Sequence, residues 1–191
     1  MANPAEAFLE KGQSVRLLYL SDELIEQINL DQSESPNLVG ELYQSCESSE
    51  VIPFKFDNFL YYLIFRAPFV EAGDSSELVS LTNQFANGYM PKVESRIIKF
   101  YRSDATNNYF QPREWSLNKP SQIFEFSNIL LLSIESYLIL KPEIKQFFFW
   151  PSTTKLTTLY KRLFRNLKKS SSGIEVNPIM VNLGVFYGYE R

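Results

Sequence analysis

Four aromatic residues in succession, Phe147-Phe148-Phe149-Trp150, follow Gln146 and leave no polar face for solvent. Successive side chains of a strand point to opposite sides, so an extended run of this kind must be covered on both. It reads as a central strand of a sheet with packing elements on each side. The flanking residues agree. Ile123 to Leu140 is helical in pattern and apolar on most sides, as suits a helix buried against a sheet, and Pro142 stops it. Pro151-Ser152-Thr153-Thr154 ends the strand and caps a second helix. There Leu156, Leu159, Tyr160, Leu163, Phe164 and Leu167 keep the i, i+3, i+4, i+7 spacing. A final strand, Ile179 to Tyr189, completes a helix, strand, helix, strand unit.

Upstream, Val15 to Leu20 reads as a strand, and Ser21-Asp22-Glu23 caps a helix carrying Leu24, Ile25 and Ile28. A second helix is expected from Ser35 and Pro36, with Leu38, Val39, Leu42, Tyr43 and Cys46 on one side. Val51 to Phe56 and Phe59 to Arg66 flank Asp57-Asn58 as a hairpin. A helix over 76–87, ended by Gly88, is followed by a strand pair, Arg96 to Arg102 and Tyr109 to Leu117. No repeat is visible, and Ser170-Ser171-Ser172-Gly173 is a turn rather than a linker. With 45% hydrophobic residues, the 191-residue chain can bury a substantial core as one globular domain, 1–191. The expected class is α+β, a mostly antiparallel mixed sheet flanked by helices.

This order of elements resembles the acyl-CoA N-acyltransferase fold. In that family a Gly-rich loop of the form Arg/Gln-x-x-Gly-x-Gly/Ala opens the long helix, and its backbone amides hold the cofactor pyrophosphate. A Leu-Tyr near the start of the last helix supplies a tyrosine that can protonate the departing thiolate. Leu159-Tyr160 in TTLYKRLF matches that tyrosine. The segment in the loop position, Pro120-Ser121-Gln122-Ile123-Phe124-Glu125-Phe126-Ser127, has no glycine, and a Cβ there obstructs close backbone approach to phosphate. The resemblance thus implies Tyr160 as an alternative catalytic residue, while no cofactor site is expected. The stretch Thr154 to Leu163 after an aromatic strand is also similar to small, uncharacterised bacterial proteins with an Arg-x-Arg-Leu-Tyr helix, which implies no function.

The chain contains 0 His and 1 Cys, Cys46. No Ser-His-Asp or Cys-His triad, imidazole base or His-containing zinc site can be built from it. One Cys makes no internal disulfide, so no metal site and a reducing, cytoplasmic compartment are expected. The opening Met-Ala-Asn-Pro-Ala-Glu has neither a basic region nor an apolar run of signal-peptide type. The apolar stretch Ile129 to Leu140 is interrupted by Ser133, Glu135 and Ser136 and falls short of the roughly 20 residues of a spanning helix, so no membrane role is expected.

Charge is unevenly placed. Residues 1–50 hold ten acids and two bases, whereas 122–191 hold five acids and nine bases. Between Glu143 and Glu175 there is no acid, and Lys145, Lys155, Lys161, Arg162, Arg165, Lys168 and Lys169 fall inside that window. Lys161, Arg162, Arg165, Lys168 and Lys169 lie opposite the apolar stripe of their helix and are the candidate partner-binding residues. A protein partner is the favoured reading, because 16 Phe, 11 Tyr and 2 Trp exceed what the core elements need and aromatic and Arg side chains concentrate at interfaces. Nucleic-acid binding through the basic helix 155–169, with Tyr101, Tyr109 and Phe110 for stacking, is disfavoured by the acidic pI of about 5.2. Glu125 and Glu135 are weak candidates for a carboxylate base, and Asp22, Glu23 and Glu26 are explained by the helix dipole without a metal. Tyr160 sits on the apolar stripe and reads as a core residue before a general acid. The expected function is a non-catalytic protein-binding module of the bacterial or phage immunity, antitoxin or inhibitor type, with acyl transfer as the alternative.

Overall fold

A computed structural model of the chain describes residues 24, 28, 35–46, 49–68, 89–104, 117, 119–151, 153–167, 174–181, 183 and 186–191. At Asp57 and Asn58 the backbone turns with φ of 52° and 63°, the left-handed pair of a two-residue hairpin whose twist matches its strands. The turn joins β3 (Ser49–Phe56) to β4 (Phe59–Arg66), paired from Phe56↔Phe59 to Ser49↔Arg66, so the expected hairpin is present. β5 (Ser95–Arg102) adds antiparallel to β4.

The chain then forms α1 (Pro120–Leu140) and returns as β6 (Gln146–Phe149), parallel to β5. A parallel neighbour requires such a crossover. After α2 (Thr154–Leu167), the short strands β7 (Asn177–Pro178) and β8 (Tyr187–Glu190) close the sheet, with β8 between β6 and β7. The strand order is β1-β3-β4-β5-β6-β8-β7, with β1 (Leu38–Val39) and β2 (Tyr43–Cys46) both on the outer edge of β3. Among the described residues, eight mostly antiparallel strands and the two helices α1 and α2 make the fold α+β, as expected.

Two secondary-structure expectations are corrected. Residues 35–46 do not form a helix. Leu38–Val39 pairs with Phe54 and Lys55, and Tyr43–Cys46 pairs with Ser49 to Val51, because the open edge of β3 supplies more hydrogen bonds than an isolated helix of this length retains. Pro53 lies where β1 gives way to β2, and its carbonyl accepts from Gly40 N–H at 2.8 Å, a place where a missing N–H breaks no ladder. The second correction concerns Ile179 to Tyr189. Its described residues before Tyr187, namely 179–181, 183 and 186, are not in a strand, and β8 begins only at Tyr187. The strand at Val15 to Leu20, the helix over 76–87 and residues 109–116 lie outside the described residues, as do Asp22, Glu23 and Glu26. Leu117 is described and is not in a strand.

One sheet face carries the larger core. Ile52 and Phe54 of β3, Leu63 and Phe65 of β4, Ile98 of β5 and Phe147 and Phe149 of β6 pack against α1 and α2. The other face buries Val51, Tyr62, Ile64 and Tyr101 against Leu24 and Ile28, and Ile97 and Phe148 against Leu183 and Phe186. The aromatic run is therefore covered on both sides, as its composition requires.

Pro120 opens α1 at a first-turn position where its missing N–H is harmless. The buried Ser127 and Ser133 hydroxyls donate to the carbonyls of Ile123 and Ile129, so neither of these two is left unsatisfied. With 21 residues, of which an 18-residue window has a mean hydropathy of 1.6, α1 is long and apolar enough to cross a membrane by length and composition alone. This corrects the shorter apolar stretch counted from Ile129, since apolar residues continue back through Phe126, Phe124 and Ile123. One side of the helix packs on the sheet, and Phe124, Leu132, Ile139 and Leu140 are exposed on the rest.

Candidate functional site

Thr153 precedes α2 and caps it, its Oγ1 accepting from the Leu156 N–H at 3.2 Å. From there the 3.6-residue period divides the helix. Tyr160, Leu163 and Phe164 are buried and Leu156 and Leu159 partly so, while Lys155, Thr158, Lys161 and Arg165 face solvent. Arg165 in the last turn complements the negative end of the helix dipole. Among the described residues, none of Lys155, Lys161, Arg162 and Arg165 has an acidic partner.

Two of these cations lie over rings. Lys161 Nζ is 5.4 Å from the centroid of Tyr187, and the Arg162 guanidinium is 5.3 Å from that of Phe124. Phe124 belongs to α1, and the second contact joins the basic face of α2 to an apolar face of its neighbour. Along α1, Phe124, Asn128, Leu132, Glu135 and Ile139 follow one another at spacings of three and four and so form one stripe. Phe124 is 48% exposed, Leu132 54% and Ile139 61%. Three large apolar side chains thus stand exposed in register on one helix, with Asn128 and Glu135 between them.

A buried ionic cluster fixes which side of α1 faces out. Glu50, 4% exposed at the start of β3, accepts from Arg96 Nε of β5 at 3.1 Å and from the Tyr137 hydroxyl of α1 at 3.2 Å. Lys141, just past the end of α1, adds an ion pair at 3.4 Å. Burial opposes the charge on Arg96, but the hydrogen bond and charge of Glu50 outweigh it and hold the guanidinium above its ordinary value. Burial raises the Tyr137 hydroxyl, Glu50 adds to the rise, and Arg96 opposes it. The Tyr137 ring stacks on Phe65 with centroids 3.6 Å apart. Cluster and stack together set the rotation of α1 on the sheet, and hence the outward direction of Phe124, Leu132 and Ile139.

At the other end of α1 the Gln122 side chain is occupied. Its Oε1 accepts from Lys119 N–H at 3.4 Å and its Nε2 donates to Asp57 Oδ2 of the hairpin turn at 3.3 Å. A carboxylate therefore lies beside the helix end where a phosphate would otherwise be held.

The sequence-derived residues fall as follows. Lys161, Arg162 and Arg165 share the outer face of α2, and Lys168 and Lys169 lie outside the described residues. Tyr160 is in the core, with Phe149 at 4.6 Å and Phe100 at 6.4 Å between ring centroids, and burial raises its hydroxyl above the ordinary value. Tyr101 is buried against Tyr62 and offers no stacking face, while Tyr109 and Phe110 lie outside the described residues. Glu125 is exposed, and Glu135 is half-buried with one carboxylate oxygen lacking a hydrogen bond. Among the described residues no group of three or more His, Cys, Asp or Glu could hold a metal.

Sequence reasoning passed over the Glu50 cluster and the exposed stripe of α1. Both left a signal. Glu50 falls in the period-two series with Ile52, Phe54 and Phe56, which places a carboxylate on an apolar face. A helix apolar on most sides can bury only the side that meets the sheet. No family model, curated protein or solved structure matches the chain.

Proposed function

We propose that the chain is a non-catalytic protein-binding module whose partner covers the outer face of α1 and α2. The observation that carries this reading is the Arg162–Phe124 contact, where acid-free cations of α2 meet the exposed apolar stripe of α1. Arginine and aromatic side chains are where binding energy concentrates at protein interfaces, and apolar patches edged by charge are typical of such sites. Immunity proteins, antitoxins and inhibitors of bacteria and phages act in this way, needing a shaped surface and no active site. A reducing, cytoplasm-like compartment fits a chain with one cysteine.

A second reading is acyl transfer from acyl-CoA. It draws on the parallel pair β5–β6 bridged by α1, since ligands of mixed sheets gather at the C-terminal ends of parallel strands. It has less support: the start of α1 has Pro120, no glycine and the Asp57 carboxylate alongside.

Capture from an extract of the native host tests the proposal, comparing the wild-type chain with Leu132→Asp/Arg162→Glu. A specific protein retained by the first and lost by the second is the expected result. Retention of nucleic acid regardless of sequence, lost steeply with salt, would overturn it in favour of phosphate binding.

A further inference from the structure

We infer that the partner docks as an acidic amphipathic helix, laying its apolar stripe on Phe124, Leu132 and Ile139 and turning its carboxylates toward Arg162 and Arg165. This rests on the protein-binding reading and adds the chemistry of the partner. Leu132 lies eight residues beyond Phe124, and Ile139 seven beyond Leu132. At about 1.5 Å per residue the anchors recur every 11 Å or so over roughly 22 Å. That is the spacing of i, i+7 side chains on a helix laid alongside, the recurring mode by which an amphipathic helix fills an apolar groove.

Charge selects the partner further. The cations stand on one flank only, on α2, where no acid occurs and where none of the four described cations has an acidic partner. A second copy of this chain offers no acid from its own α2, and docked with α1 antiparallel to α1 it would bring cations against cations. An anionic lipid surface would meet Glu125 and Glu135 on the outer side of α1, and a nucleic acid would press phosphates onto Leu132 and Ile139. An acidic helix can turn its carboxylates to Arg162 and Arg165, away from Glu125 and Glu135, a choice that a uniformly anionic surface lacks, and lay its apolar residues on α1.

The test uses the full chain and fluorescein-labelled synthetic peptides as long as the stripe, followed by anisotropy at low and physiological salt. The first peptide carries Leu at helical spacing with Glu along one flank. A second has each Glu replaced by Lys, and a third keeps the composition but is broken by prolines. The first should bind at least about tenfold more tightly than either control. Arg162→Glu/Arg165→Glu, checked for folding by circular dichroism, should reverse the preference toward the Lys peptide.

Equal binding of the proline-broken peptide, or an affinity for the acidic peptide unchanged by the charge reversal, would overturn the inference. So would binding of phosphatidylserine vesicles with no binding of the peptide. A host protein lost on Leu132→Asp/Arg162→Glu without any binding of the acidic peptide would refute this partner class and leave the protein-binding reading standing. Loss of neither would end both.

Discussion

The Tyr137 hydroxyl donates to Glu50 Oε2 at 3.2 Å across 87 residues of sequence, and through that bond the first long strand of the hairpin sets the roll of the helix bearing the exposed stripe. The same carboxylate holds Arg96 and Lys141. Removing one member of a buried charge cluster leaves the others uncompensated, typically at about 3–5 kcal/mol. Glu50→Ala should fall in that range in urea unfolding, whereas Tyr137→Phe, which removes one hydrogen bond and keeps the ring on Phe65, should cost about 1–2 kcal/mol. A loss below about 1 kcal/mol for Glu50→Ala would show water screening the cluster.

Lys99 makes stability depend on pH in a chain without histidine. Burial, with the nearby charge of Arg66, pushes its amine down to about 7 from an ordinary 10.5. Between those values the unfolded chain binds a proton that the folded one does not, so stability rises with pH, by at most about 1.4 kcal/mol per unit. Lys99 retains some contact with solvent, which lessens the shift and narrows the pH window over which that slope applies. Below pH 7 the amine is charged in both states and the full cost is present. Above pH 10 the trend turns. Tyr61, Tyr89, Tyr137, Tyr160 and Tyr189, all raised by burial, keep their protons while the unfolded tyrosines lose theirs. Urea midpoints from pH 6 to 11 should trace a rise and then a fall, and Lys99→Met should flatten the rise. A wild-type profile flat from pH 7 to 10 would refute the assignment.

The elements legible in the sequence were those written locally. Asp57-Asn58 marks its own turn, the run at Phe147 to Trp150 admits only a doubly covered strand, and α2 shows its period in Leu156 to Phe164. Residues 35–46 mislead because Leu38, Val39, Leu42, Tyr43 and Cys46 fit a helical period equally well. Their strand state depends on an edge supplied by β3, in the register Leu38↔Lys55, which no local pattern encodes. The candidate site divides in the same way. The cations of α2 follow from its periodicity, but the contact of Arg162 with Phe124 and the convergence of Arg96, Tyr137 and Lys141 on Glu50 are products of strand order.

Gly188 tests the packing of β8 on β6. A Cβ there would lie 2.6 Å from Leu183 Cδ1, 2.8 Å from Phe148 Cε1 and 2.9 Å from Ile179 Cδ1. Leu183 and Ile179 present flexible ends, but the Phe148 ring is fully buried and has little room to yield. Overpacking of this kind costs about 1–3 kcal/mol, and Gly188→Ala should lower the unfolding free energy by that amount. Adding Leu183→Ala should return part of the loss, a non-additivity expected of residues in contact. Strict additivity would place the strain elsewhere.

Tyr160 separates a core residue from a catalytic acid. Its ring packs between Phe149 and Phe100 and its hydroxyl is held above the ordinary value by burial, which disfavours any step that needs the tyrosinate. If the residue serves only packing, Tyr160→Ala should cost about 3–5 kcal/mol and Tyr160→Phe less than about 1.5 kcal/mol. Acetyl-CoA should give no stoichiometric heat in calorimetry with either the wild type or Tyr160→Phe. The start of α1 lacks the glycine a pyrophosphate cradle uses, Pro120 contributes no N–H, and Asp57 Oδ2 already takes the Gln122 amide. A stoichiometric acyl-CoA complex whose turnover, rather than stability, falls in Tyr160→Phe would reverse the assignment and make the residue a proton donor.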